Sequence, residues 1–332
     1  MLRLTTLALL ACSTPVLAQE INVYSHRQPE LIQPLVDAFT AETGIKVNVA
    51  FVDKGMAERL QAEGDRSPAD LVLTVDIARL MQIVEADVVQ PVQSDVLEAN
   101  IPETLRDPED KWFGLTARAR IVYASKERVQ PGEVTTYEDL ASEKWRGRIC
   151  SRSGLHDYNV ALLGAIIAHH DEAYATTWAE GLRANLARKP DGGDRDQVKA
   201  IAAGECDIAI GNTYYMGQML ADPEQVPAAE SVNIVFPVFE AGGTHLNISG
   251  VAMTKSAPNR DNALKFMEWL SGDAAQKIYA ETNHEYPVKP GVERSALVTS
   301  WGEFTADATP LADIAAQRPA AVKIMETVNF DG

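Results

Sequence analysis

Glu20-Ile21-Asn22-Val23-Tyr24 is a short alternating run, and behind it Leu31, Leu35, Val36 and Phe39 recur near helical spacing until Gly44. Ile45-Lys46-Val47-Asn48-Val49 alternates again with β-branched residues. Met56 to Glu63 is helical, and Ala69-Asp70-Leu71-Val72-Leu73 has the look of a buried strand. A period of two marks a half-buried strand, a period near 3.6 an amphipathic helix, and a glycine past the last periodic residue a helix end. Strand, helix, strand, helix, strand in that order predicts an α/β fold around a mainly parallel sheet.

The second half repeats this grammar. Gly147-Arg148-Ile149-Cys150 is a strand, Val160 to His169 a helix, Asp207-Ile208-Ala209-Ile210 a strand, and Tyr214 to Leu220 a helix; Asn233 to Pro237 adds a further strand. A chain of 332 residues is long for one core and points to two lobes. There is no low-complexity tract and no Pro/Gly/Ser linker, so the lobes are expected to share ordered strands, with Leu115 to Tyr123 and Ile248 to Thr254 as the crossings. That is a hinge rather than a tether. The expected boundaries are 19–116 with 248–294 for the amino-terminal lobe, and 117–247 with 295–332 for the carboxy-terminal lobe.

Residues 1–18 read differently. Arg3 is followed by an apolar run and then by Pro15-Val16-Leu17-Ala18, which is the order of a secretory signal peptide cut after Ala18 to leave Gln19. Leu9-Leu10-Ala11-Cys12 is the competing, weaker lipoprotein pattern. Nothing later approaches a membrane-spanning length of apolar residues. Cys150 and Cys206 are the two cysteines beyond residue 18, and in an oxidising compartment such a pair is more often bonded than free. The net charge of −17 argues against a phosphate-backbone partner; it suits either solubility or attraction of cations.

Tyr214-Tyr215 follows the loop Gly211-Asn212-Thr213 and opens a helix. On a strand adjacent side chains face opposite ways, whereas at a strand-to-helix turn both can reach one ligand, in the place where open α/β sheets bind. The competing reading is two rings packed on a lobe surface. Tyr158 supplies context, because it too follows a strand and a polar loop, Ser151 to Asp157, and opens a helix. Three phenols at two strand ends suit a hard trication, since a bound cation makes the phenolate the stable form. Arg27 and Arg118 sit at other strand ends, and their forks suit a planar oxyanion. Helix starts after Arg27 and Ser153 favour anions as well. Arg120 is read as a surface or interlobe ion pair. His169-His170 is read as a solvated helix end, His284 as hinge structure, and Asp191 to Asp196 as a turn capping a helix over Gln197 to Ala203. No nucleophile elbow, zincin motif or nucleotide-binding glycine loop is present.

Taken in order, Val23-Tyr24-Ser25, Thr43 to Val47, Glu63 to Asp70, Trp112 to Arg120, Asn212 to Tyr215, Ile248 to Val251 and Glu285-Tyr286-Pro287 carry a resemblance. The mature chain resembles the periplasmic ferric-ion-binding proteins of ABC importers, multi-tyrosine subgroup, within the type II periplasmic binding-protein fold. The resemblance implies a monomeric carrier of Fe³⁺ that docks on an inner-membrane permease, binds no nucleic acid and catalyses nothing. It implies ferric ligands at Tyr158, Tyr214 and Tyr215, and carbonate or a similar anion at Arg27 and Arg118. Another subgroup adds a His or Tyr at the Gln28-Pro29 position and a Glu near Val75, and this chain lacks both. Tyr24 is left as either a further ligand or a core residue. The alternatives are the same fold holding an organic anion, thiamine or a polyamine, and a tyrosinate-metal enzyme, which turnover of a substrate would distinguish.

Overall fold

A computed structural model describes residues 19–332; the expected signal segment and its cleavage site fall outside the described residues. The strands are β1 Glu20–Ser25, β2 Lys46–Phe51, β3 Leu71–Thr74, β4 Val89–Gln90, β5 Phe113–Ser125, β6 Ile149–Cys150, β7 Ile208–Asn212, β8 Val232–Val235, β9 Leu246–Thr254 and β10 Tyr286–Pro287. They run in the order β2-β1-β3-β9-β5-β7-β6, with β4 beside β9 and with β8 and β10 beside β5. Between them, α1 spans Pro29–Thr43, α2 Met56–Glu63 and α3 Ile77–Glu85. In α1 the residues Ile32, Leu35, Val36 and Phe39 are buried, and Gly44 ends the helix with φ of 72°, its N–H reaching the Thr40 carbonyl. A left-handed residue at that position is what glycine permits without steric cost.

The sheet is mixed rather than mainly parallel. β1 lies parallel to β2 and β3, and β6 to β7, but every pairing made by β5 and β9 is antiparallel. Those two long strands reverse the local direction, and alternation in the sequence does not encode strand direction.

β5 joins the two halves. Its residues up to Ala119 pair with β9, while Arg120 to Ala124 pair with β7. All thirteen of its residues are buried, so one continuous strand serves two sheets. β9 lies wholly in the first half, between β3 and β5. The second crossing is therefore not Ile248 to Thr254. It comes just before β9, at His245, whose carbonyl accepts from the Arg120 N–H at 3.0 Å. Apolar clusters pack on either side: Phe39, Leu71, Phe113 and Phe266 in the first half, and Val122, Trp145, Leu163 and Ile324 in the second. Burying each such side chain contributes about 1.5–3 kcal/mol.

Cys150 on β6 and Cys206, just before β7, form a disulfide with Cα atoms 5.8 Å apart and a sequence separation of 56. Closing a loop of that length removes unfolded-chain entropy worth about 4 kcal/mol. The native protein should therefore take up no alkylating reagent before reduction, as read by mass spectrometry, and Cys150→Ala with Cys206→Ala should lower stability by about 2–4 kcal/mol in denaturant unfolding. Two alkylated cysteines without reduction would refute the bridge.

Candidate functional site

Tyr158 is in the first turn of the helix Asp157–His169, and Tyr214 and Tyr215 are in the first turn of the helix Thr213–Leu220. Each helix leaves the carboxyl end of a neighbouring strand, β6 or β7, so the two loops meet at one edge. The Tyr158 and Tyr214 hydroxyls are 3.2 Å apart, and the Tyr214 and Tyr215 ring centroids 4.2 Å apart. Burial pushes the Tyr214 phenol well above its ordinary range, and neighbouring phenols add to that. Burial raises Tyr158 as well. Arg118 opposes both shifts. Without a cation these two phenols are neutral; a cation that can displace their protons reverses the preference.

Guanidinium groups surround the rings. Arg118 lies 5.7 Å from the Tyr214 centroid, Arg120 and Arg152 lie 5.7 and 5.3 Å from that of Tyr158, and Arg195 lies 5.7 Å from that of Tyr215. Arg120 is not a surface or interlobe ion pair. It is buried within the second half, donating to Asp194 at 2.7 Å, to Asn212 at 3.0 Å and to Asn159 at 2.6 Å. Asp194 also accepts from Arg152 at 3.0 Å and from the Asn212 N–H at 2.9 Å. Burial alone would raise the Asp194 carboxyl, but Arg120 and Arg152 outweigh it and hold it below the usual range. This carboxylate therefore fastens the residue after Tyr158 to the residue two before Tyr214.

Arg27 and Arg118 converge, but on a carboxylate of the protein. Arg27 donates to both Glu285 oxygens at 2.9 and 3.2 Å, and Arg118 donates to one at 2.6 Å and to the Val75 carbonyl at 2.9 Å. Both arginines also reach the Ser249 hydroxyl. The Arg118 Nε–H is buried without an acceptor. The loop carrying Glu285 lies tight on the tyrosine-pair helix, because a Cβ at Gly217 would stand 2.3 Å from the His284 ring.

These features can be set beside known proteins. The model for bacterial extracellular solute-binding proteins matches residues 25–277. The chain belongs to that family. It is 46% identical to iron uptake protein A1 of Synechocystis sp., with 96% of this chain and 89% of that protein covered. Among solved structures it superposes on the apo ferric ion-binding protein A of Pasteurella haemolytica with a TM-score of 0.91, 53% identity and coverage of 95% and 99%. It superposes on a Trichodesmium protein in complex with iron and citrate with a TM-score of 0.88, 42% identity and coverage of 94% and 99%. The two-lobed periplasmic binding-protein fold is shared with these structures.

In this solute-binding protein a cavity of about 440 Å³ is lined by His26, Arg79, Ser153, His156, Asp157 and Arg318 among others; it reaches the start of the Tyr158 helix, and none of the three tyrosines lines it. Ser153 does not offer its hydroxyl there: the group donates to Asp331, whose second oxygen accepts from the Gly154 N–H at 2.7 Å. An internal carboxylate thus takes the place expected for an external anion. Burial, with help from Arg152, lowers His156 to about 3, so its bare Nδ1 accepts from the Tyr158 N–H at 3.2 Å and caps the helix.

Tyr24 stands apart from the cluster, with Glu63 at 2.9 Å and Arg59 at 2.8 Å on its hydroxyl. His169 is not a solvated helix end. It pairs with Asp307 at 3.0 Å and stacks on Phe239, and His170 pairs with Glu138 at 2.9 Å. The turn at Asp191 to Asp196 does cap a helix, but the helix begins earlier, at Asp194, and Asp196 accepts from the Gly193 N–H at 2.8 Å. Among the described residues no three His, Cys, Asp or Glu side chains converge as a metal nest, and no helix is long and apolar enough to cross a membrane.

Asp194 enters the sequence reading only within a capping turn and Glu285 only within the motif Glu285-Tyr286-Pro287, neither as a site residue. A buried acid beside an arginine-rich strand end was the available signal, but the partners lie 74 and 258 residues away along the chain. Asp194→Ala should strand two buried guanidinium groups and cost about 3–5 kcal/mol, measured by denaturant unfolding. A loss below about 1 kcal/mol, the value of an exposed pair, would show that Asp194 does not bind the two loops together.

Proposed function

We propose that this protein carries ferric iron on the Tyr158, Tyr214 and Tyr215 phenolates, as the periplasmic binding component of an ABC importer, and delivers the ion to an inner-membrane permease. The observation that carries the reading is the convergence of three phenols from two strand-end loops, each ring flanked by a guanidinium. Relatives and structural neighbours named for iron uptake and ferric iron binding support it. Binding exchanges three phenolic protons for Fe³⁺, giving a formally neutral cluster. The surrounding arginines favour the phenolate form and disfavour a polyamine, whose charge they would repel. The role is carriage, with the two lobes closing on the ion about the crossing of β5 between Ala119 and Arg120.

Three phenolates leave room in the ferric shell, and we place a small carboxylate-type anion there, carbonate or a relative such as citrate. The unpartnered Arg118 Nε–H supports this, since a buried donor without an acceptor costs about 1–3 kcal/mol. Glu285 already occupies most of both arginine forks, so Arg27 acts mainly by holding Glu285, and Arg118 is the donor nearer the phenols.

Adding ferric iron to the apoprotein should give a red to purple phenolate charge-transfer band. Tyr214→Phe and Tyr215→Phe should each lose most of it, while Tyr174→Phe should not, because Tyr174 is exposed and stacks on His170. Equal loss in all three variants would mean destabilisation instead of ligand removal.

Release should be driven by acid. Burial holds the Tyr158 and Tyr214 phenols protonated without metal, so falling pH lets protons compete for the oxygens that bind the ion, and retention is greatest at the alkaline end. Arg118→Ala should weaken retention mainly when bicarbonate or citrate is present, as followed by titration with and without each anion. Equal binding by both proteins in every buffer would remove Arg118 from the anion site.

A further inference from the structure

An alternating row of charges crosses the mouth of the cleft. Asp76, 1% exposed, ends β3's loop and caps α3, its Oδ1 accepting from the Arg79 N–H at 2.8 Å. Asp76 Oδ2 lies 3.6 Å from the Arg79 Nε. The same Nε donates across the cleft to Asp157 Oδ2 at 2.9 Å. The other Asp157 oxygen lies 3.1 Å from Arg318, on the helix Arg318–Thr327, which packs against the Tyr158 helix. Asp76 and Arg79 belong to the first half of the molecule, Asp157 and Arg318 to the second.

Two features mark this row as more than a surface ion pair. Arg79 stands in the first turn of α3, where the helix dipole repels a cation, and its shorter charge contact is not with the helix's own cap Asp76 at 3.6 Å but with Asp157 across the cleft at 2.9 Å. The Arg79 and Asp157 side chains are also only 20% and 15% exposed, which removes much of the screening that makes surface pairs worthless. Asp157 is the residue before Tyr158, at the start of its helix. A pull on Asp157 therefore acts on the ligand-bearing turn.

We infer that Arg79 is a positioning residue that latches the first lobe onto the start of the Tyr158 helix when the cleft is closed, and so holds Tyr158 on the ion. The inference rests on the ferric reading given above. The row also explains how such a latch can reopen. When the lobes part, Arg79 keeps Asp76 and Asp157 keeps Arg318, so neither charge is left buried without a counter-ion. The penalty that makes breaking a buried pair so costly is avoided. Arg79 is no ferric ligand, and the latch changes the lifetime of the loaded state, not its colour.

The test is the rate of iron transfer from the loaded full-length protein to a competing chelator at fixed pH, with the charge-transfer band and small-angle scattering recorded on the same samples. Arg79→Ala should release iron about tenfold faster, between the small effect of an exposed pair and the large one of a fully buried pair. Its band should be unchanged, and its loaded radius of gyration larger. Arg79→Lys should fall between it and wild type, since an ammonium keeps the charge but not the fork. Arg318→Ala removes the partner within the same half and should stay within about twofold of wild type, as expected for an ion pair that the latch does not need. Asp157→Asn should match Arg79→Ala, and the double variant should be no faster than either single one. If Arg79→Ala unfolds, Arg79→Gln is read in its place.

Release at the wild-type rate in Arg79→Ala, or equal acceleration in Arg318→Ala, would overturn the latch. A shifted band would mean that Arg79 acts on the ligand sphere directly, and would overturn it too. An absent band in wild type would instead overturn the ferric reading, and the latch with it.

Discussion

Much of this molecule hangs on one carboxylate buried from solvent. Asp194 is 1% exposed and accepts from Arg120, Arg152 and the Asn212 backbone. Arg120 in turn holds Asn159 and Asn212. These bonds place the Tyr158 helix and the Tyr214 loop at a fixed separation while bringing two positive charges beneath the Tyr158 ring. The disulfide from β6 to the start of β7 constrains the same pair of strands from the other end. The protein itself thus fixes the phenol cluster in place, electrostatically as well as geometrically.

A second buried carboxylate, Glu285, has the matching task in the first half. Burial would raise it, and Arg27 and Arg118 hold it low. It gathers β1, β5 and the loop before β10 at the point where the long strand passes between sheets. Because Arg118 sits beside the Tyr214 ring, the Glu285 network connects the hinge to the phenols through one guanidinium. Arg118 is therefore constrained on one side and available on the other, an arrangement suited to a donor that must keep its direction while the lobes move.

The overall charge conceals this. A chain of net charge −17 builds a cleft in which Arg79, Arg118, Arg120, Arg152 and Arg195 surround three phenols. The acidic excess lies mainly outside the site, where water screens it over about 8–10 Å. Within the site low dielectric strengthens each arginine's influence on phenol ionisation. Net charge speaks to solubility and encounter with cations, and the local field decides which species stays.

The sequence by itself determined the strand-to-helix turns. Alternation and helical spacing are local, so β1, α1, β2 and α2 were legible. So was the entry of Tyr158, Tyr214 and Tyr215 at helix starts, because a helix start is set by a few consecutive residues. Only the tertiary structure decided which distant groups those turns meet. It put Asp194 with Arg120, Glu285 with Arg27 and Arg118, Asp157 with Arg79 across the cleft, His169 with Asp307, and Ser153 with Asp331. It also reversed β5 and β9 against their neighbours and so made the sheet mixed. These outcomes share a physical reason. A buried charge must find a counter-charge or be expelled, and nothing in the identity of one residue says which of many candidates far along the chain the folded backbone will bring within 3 Å.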